Sequence, residues 1–547
     1  MVSLRPLVLL LLPSLFATAA AAQVRNVSGG PLIPEQAWFD VQHYDLVLAV
    51  DPAHRTIEGT LTMRAKCITT ATTLALDLDG ALTVRAVRCD GIDTKFERTK
   101  GQICIHHDTA PAVGTTFTVA VDYGGAPLVA PNPPWNGGFT WSQTKDKQPW
   151  IATSCQDEGA DLWWPCKDHP SDKPDSVDLH ITVPKGLVVA SNGTLQGAPD
   201  VHGELVTFHW REHSPISNYN VALNIAPYVE LKDTFTCIDG TVMPIQFFVL
   251  PESQERAKRC MPQFLDHLHF FEEVLGPYPF RNEKYGIAET PHLGMEHQTI
   301  IGYGNGFRDE QYDWLHHHEL SHEWFANLVT CRDWKDMWLH EGFGTYMQPL
   351  YLERRFGRDH YDRELQKHPT MNRSPVAPRE TKNSYQIYFG GGGGNDLYYK
   401  GSLVLHTLRW QLGDEKFFAS LKRFCYPTEA AKKATDGSQV RFVDTDDYVR
   451  LCSELAGEDM TWFFDAYVRQ PALPKLVTEK VGSVLKLRWE VPTDLPFALA
   501  VPVRLHGEEQ RVAMKGGVGE LEVGDADYTI DPSQRLLMVR ARPKSGR

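Results

Sequence analysis

His318-Glu319-Leu320-Ser321-His322 puts two imidazoles four residues apart, and Glu341 follows after eighteen intervening residues. On a helix, positions four apart lie on one face, a turn from each other. Two histidines so placed can grip one metal ion, with Glu319 beside them as a general base. Zinc suits this ligand chemistry, because a catalytic zinc takes three protein ligands and keeps a fourth position open. Glu341 supplies the third. The expected chemistry is therefore metal-assisted hydrolysis, with one Zn2+ per chain. His316 and His317 stand outside the register, since only His318 has Glu next and His four on. They are expected on the helix surface or behind the ligands.

The hydrophobic pattern says which elements hold these side chains. From about Trp38 to Ile225, short runs alternate with period two, as in Tyr44 to Val50 before the Asp51-Pro52 turn. That is the signature of antiparallel strands. The pattern changes near residue 252. Glu252 to Leu275, Gln311 to Thr330, Trp338 to Phe356, Gly401 to Leu412 and Thr445 to Ala456 carry helical spacing, with Ile245 to Leu250 left for a small sheet. In the histidine segment, Trp314, Leu315, Trp324, Phe325 and Leu328 are expected on the core side. Gly342 and Gly344 would let the helix of Glu341 approach closely. Alternation returns from Pro474.

Length and composition set the frame. At 547 residues the chain is too long for one core, and 42% hydrophobic with 23% charged residues is an ordinary folded composition. The net charge of −14 has no basic block, which argues against nucleic acid as a partner. Arg5, the apolar run Leu7 to Leu12 and the small residues ending at Ala22 read as a secretory signal peptide, too short to span a membrane. The mature protein is expected to be exported, periplasmic or extracellular, without a stable membrane anchor. Ten cysteines suit that compartment, and Cys89 with Cys104, Cys155 with Cys166, and Cys425 with Cys452 are candidate disulfides or buried thiols.

The metal motif with its eighteen-residue gap resembles the zinc aminopeptidases of the aminopeptidase N and leukotriene hydrolase family, the gluzincins. Three further stretches carry the resemblance in the family's order. Gly-x-Met-Glu-Asn appears altered as Leu293-Gly294-Met295-Glu296-His297, Tyr-x-Lys-Gly as Tyr398-Tyr399-Lys400-Gly401, and Ser154-Cys155-Gln156 through Asp168 looks like the family's strand pair at the edge of the first domain. The resemblance implies an α+β multidomain architecture: signal peptide 1–22, N-terminal β-sheet domain 23–235, thermolysin-like mainly helical catalytic domain 236–470, and a small C-terminal β-sandwich domain 471–547. It implies peptide substrates with a free N-terminus. Glu296 would bind the ammonium group with Gln156 beside it, Gly294 and Met295 would border the substrate, and Tyr398 would stabilise the oxyanion.

Leu293 and His297 depart from the family pattern, which bears on peptide binding and leaves the metal chemistry untouched. Larger members close the site with a long helical domain. Here the residues after Pro471 read as β, so a more open site is expected. Gly390 to Gly394 form a glycine run that reads as a surface loop or, this close to Tyr398, as a gate to the site, and Tyr385 and Tyr388 nearby are expected in the core, with lining of the pocket as the alternative. Two rival readings remain: a zinc endopeptidase of the same class, in which Glu296 is structural, and a non-catalytic peptide-binding protein on that fold.

Overall fold

A computed structural model describes residues 27–99, 101–107, 109–390 and 394–540, so the expected signal peptide and Gly391 to Gly393 lie outside the described residues. The alternating N-terminal runs form a nine-stranded sheet. Its centre pairs Phe39–Asp51 in parallel with Ser176–Pro184 and antiparallel with Thr56–Cys67. Leu46, Leu48 and Val50 face inward while Val47 between them is half-exposed, as period-two patterning requires. A four-stranded sheet carries Pro149–Ser154, the strand that leads into Gln156.

The middle of the chain combines a five-stranded sheet with helices. Val242–Val249, Tyr285–Glu289 and Ile301–Tyr303 run parallel, and the short strand Gly294–Met295 closes the edge antiparallel to Ile301–Tyr303. Beside this edge stands the histidine helix, Trp314–Ser321. The glutamate helix, Trp338–Phe356, packs against it, and the tyrosine helix, Tyr399–Leu412, packs in turn on the glutamate helix. After Pro474 come two three-stranded sheets, in which Leu485, Leu487, Val501 and Val503 are fully buried. The expected α+β architecture with a β-rich N-terminal part, a helical catalytic part and C-terminal sheets is present.

Some local expectations fail, each for a physical reason. The helix expected over Gln311 to Thr330 ends at Ser321. A π-type turn follows over Glu323–Leu328, and Val329–Cys331 is a strand beside Arg441–Val443, where β-branched residues find a partner. Trp314 is 46% exposed at the helix start, so only the other four residues expected in the core are there. All ten cysteines are free thiols, nine of them buried, and none of the candidate pairs is bonded. Among the described residues no helix is long and apolar enough to cross a membrane.

Candidate active site

The histidine helix begins where Asp313 accepts a hydrogen bond from the backbone N–H of His316 at 3.0 Å, an N-cap. Asp313 is itself fixed by the hydroxyl of Tyr303 and the amide of Asn305. At the other end, His322 Nδ1 lies 3.0 Å from the carbonyl of Phe325, in the π-type turn. That bond settles Nδ1 as the protonated nitrogen and leaves Nε2 free as a ligand atom. His316 and His317 are not on the surface. Both are fully buried, and the ring of His316 stacks on Phe264 with centroids 3.7 Å apart, so they support the helix from behind.

His318, His322 and Glu341 converge. Their ligand atoms all lie within 4.8 Å of one another. The two Nε2 atoms are 3.3 Å apart, and Glu341 Oε2 is 3.4 Å from His318 and 3.6 Å from His322. Tetrahedral ligands about 2.0–2.1 Å from a zinc stand roughly 3.3–3.4 Å from each other, so the triad fits that ion. A second observation agrees: Glu341 Oε2 is buried and has no hydrogen-bond partner, while Oε1 accepts one from Tyr388 at 2.9 Å. Burial raises the Glu341 carboxyl, but His322 and His318 outweigh it and hold it at about 2. Burial lowers His318, which keeps that imidazole neutral and able to bind metal. These three residues form a site for one zinc ion.

Glycines make the convergence possible. A Cβ on Gly344 would stand 2.5 Å from Ser321 Oγ, so the glutamate helix reaches the histidines only with glycine there. Gly342 serves a different contact from the one expected. It meets Gly401 of the tyrosine helix, where an added Cβ would come within 2.9 Å of the opposing Cα. The Gly of the Tyr398 to Gly401 motif thus sets the distance at which Tyr398 stands from the metal ligands. A Cβ on Gly294 would meet Glu319 Oε1 at 2.4 Å, so that glycine leaves room for the carboxylate.

Glu319 is buried, and desolvation followed by Glu296 and Glu341 pushes its carboxyl well up, a bias toward accepting protons. Tyr398 lies with its ring 6.0 Å from that of His318, and burial with neighbouring carboxylates keeps its phenol protonated as a donor. Glu296 follows the edge strand and accepts hydrogen bonds from Gln156 Nε2 and, at 3.1 Å, from Tyr219. Its backbone carbonyl is held by Asn327 at 3.2 Å. Every site residue expected from the sequence thus borders one cavity of about 700 Å³, with Gly294, Met295 and Leu293 on its wall. His297 is fully buried and outside the lining.

Sequence reasoning left three contributors without a role in the site. Tyr388, expected in the core ahead of the pocket, is buried as expected and also touches Glu341 and lines the cavity. Tyr219 reaches Glu296 from a turn with no motif around it. Asp157, beside Gln156, also lines the cavity. Tyr385, expected buried, is 42% exposed. For Tyr388 a signal existed: Asn383 with Gln386 forms a capping box that starts a short helix ahead of Tyr398.

Two histidines on one helix with a distal glutamate on the next define a zinc site of the gluzincin class. The chain belongs to peptidase family M1: the Peptidase M1 N-terminal domain matches residues 40–220 and the Peptidase family M1 domain matches residues 308–467, together more than half of its length. It is 24% identical to a leucyl aminopeptidase of Saccharolobus solfataricus over 62% of this chain and 43% of that protein. It is 22% identical to aminopeptidase N of Lactococcus lactis over 91% of this chain and 62% of that protein. The chain thus spans about half the length of the curated relatives it matches. Among solved structures, an M1 zinc metallopeptidase mutant from Deinococcus radiodurans, bound to a Tyr-Ser-Ala substrate, superposes with a TM-score of 0.65. The identity is 22%, covering 80% of this chain and 95% of that one.

Proposed function

We propose that the protein is an exported zinc aminopeptidase that removes N-terminal residues from peptides. The observation that carries this reading is Glu296, a buried carboxylate fixed by Gln156 and Tyr219 on the wall of the cavity that holds the zinc ligands. A carboxylate there offers a charge-assisted bond to a substrate's ammonium group and so fixes cleavage at the first peptide bond.

His318, His322 and Glu341 hold the zinc, which supplies Lewis acidity for the scissile carbonyl and for an attacking water. Glu319 accepts the proton of that water and passes it to the leaving amine. Tyr398 donates a hydrogen bond to the carbonyl oxygen as charge develops on it. Tyr388 holds Oε1 of Glu341, which leaves Oε2 aimed at the histidines.

The test compares a free-amine peptide with its N-acetylated twin, with and without a chelator. Cleavage of the free amine alone, abolished by chelation, is the expected result. Equal cleavage of both peptides would make the protein an endopeptidase, and no cleavage of either by zinc-loaded protein would favour a binding role. Export is tested separately by N-terminal sequencing of the secreted protein, with a start at Gln23 expected.

A further inference from the structure

We infer that Asp157 is a specificity-determining residue that favours substrates with arginine or lysine at the N-terminus, an inference that rests on the aminopeptidase reading above. Asp157 follows Gln156 at the end of the strand Pro149–Ser154, and its side chain lines the cavity with Glu296, Tyr388 and Tyr398. Its main chain is pinned, because its carbonyl accepts hydrogen bonds from the backbone N–H of Ser28 at 3.3 Å and from the hydroxyl of Ser384. One carboxylate oxygen, Oδ1, is shielded from solvent and has no hydrogen-bond partner. The next residue behaves differently: Glu158 accepts from the backbone N–H of Gly137 at 2.7 Å and from Asn136 at 3.3 Å.

The charges on the cavity wall leave Asp157 over. Glu341 is a zinc ligand facing two imidazoles. Glu319 handles the water proton. Glu296 is committed to the α-ammonium group with Gln156 and Tyr219. Lys367, also in the cavity lining, is bonded to Glu364 at 2.6 Å and makes no ion pair with Asp157. Desolvation, then Glu158, Glu341 and Glu296, disfavour charge on Asp157, an environment that a cation would relieve. A partly desolvated carboxyl group with an unpartnered oxygen is costly to leave so, and a guanidinium or ammonium entering with the substrate would stabilise its charged form. Leu293, Met295 and Trp314 line the same cavity and offer apolar surface for the stem of a long basic side chain.

The experiment measures kcat/KM on aminoacyl fluorogenic substrates carrying arginine, lysine, leucine or citrulline, the neutral isostere of arginine. Wild-type protein is expected to prefer arginine over citrulline by at least about tenfold, and Asp157→Asn to lower the arginine-to-leucine ratio by about 10- to 100-fold. The arginine–citrulline comparison needs no variant, so a misfolded Asp157→Asn does not shelter the inference. Equal turnover of arginine and citrulline would overturn it. So would a variant that loses the same factor on every substrate, since that would make Asp157 a second anchor for the α-ammonium group. Wild-type protein inactive on all four substrates would instead overturn the aminopeptidase reading itself.

Discussion

The segment Ser154 to Asp168 touches two clusters of acidic side chains, and their difference locates function in this molecule. At one end, Gln156 meets Glu296 in the cavity that also holds Glu319 and Glu341. At the other, Asp161 and Asp168 approach Asp77, which accepts from Gln36 at 2.6 Å, Gln102 at 2.9 Å and the backbone N–H of Asp168 at 3.0 Å. Burial raises Asp77, Asp161 and Asp168 as it raises Glu296 and Glu319. A shifted carboxyl alone therefore marks neither cluster as functional. What separates them is the surroundings: the first borders a cavity and faces two imidazoles and three phenols, while in the second Asp77 and Asp168 accept from side-chain amides and backbone N–H groups.

The largest effect expected from this contrast is at Glu319. Glu319→Gln should lower kcat by about 10³-fold or more, in the range of a lost general base, with zinc content and melting temperature unchanged. Asp161→Asn, the matching change in the second cluster, should alter stability and leave turnover within about a factor of three of wild type, the neutral range of a residue away from the chemistry. Steady-state kinetics beside metal analysis and thermal melts check both. An Asp161→Asn protein with normal melting and no activity would break the comparison.

Next in size is Glu296. Glu296→Gln keeps the shape but removes the charge, so kcat/KM on free-amine peptides should fall about 10²-fold, the cost of losing a buried charge-assisted bond. Discrimination between free and N-acetylated peptides should shrink by the same factor. If the variant still rejected the acetylated peptide as wild type does, Glu296 would not be the ammonium anchor.

Each cluster also depends on one glycine, and this gives a paired test. A Cβ at Gly294 would collide with Glu319, whereas one at Gly159 would stand 2.3 Å from Asp168 Oδ2 and 2.5 Å from Asp161 Oδ1. Gly159 has a φ of 110°, which a side chain would further strain. Gly294→Ala should cost about tenfold or more in kcat by displacing the base. Gly159→Ala should cost about 1–3 kcal/mol of stability by crowding and backbone strain, with activity retained in the folded fraction. Urea unfolding and turnover on the two variants decide whether the effects divide this way.

How much of this was readable in advance depended on the range of the interaction. His318, Glu319 and His322 sit on one helix, so their spacing alone declared a shared face, and the period-two runs around Leu46 to Val50 declared strands. Glu296, Gln156 and Tyr398 became legible only through a family resemblance, because they come from a strand end, a turn and a helix start that no local pattern relates. Tyr219 stayed hidden, and Tyr388 stayed an open choice between core and pocket. Each contributes one hydroxyl across a tertiary contact, and a tyrosine in the chain looks the same whether its ring fills a core or its oxygen holds a glutamate. The end of the histidine helix at Ser321 was hidden too, since Trp324, Phe325 and Leu328 keep the apolar spacing while the backbone has already turned to meet Arg441–Val443.

The smallest expected effect, and the one that isolates the second cluster, is a pH dependence. Burial and then Asp77 raise the Asp168 carboxyl to about 7, against roughly 3.9 in an unfolded chain. The folded state therefore holds a proton that the unfolded state releases between those values. A raised carboxyl gives its full stabilisation below the unfolded value and loses it as pH climbs through the folded one. Stability should accordingly fall between about pH 4 and pH 7 by an amount set by this group. In Asp168→Asn the amide carbonyl can still accept from the backbone N–H of Ala160, as Oδ1 does at 3.1 Å, but nothing titrates. The variant should lose less stability than wild type between pH 5 and pH 8, with a difference of about 1–2 kcal/mol after allowance for its coupling to Asp161. Urea midpoints at the two pH values measure it. Parallel shifts in both proteins would mean that Asp168 is already ionised in the folded state. The contrast between a proton-holding structural cluster and the one that borders the cavity would then have to rest on the cavity alone.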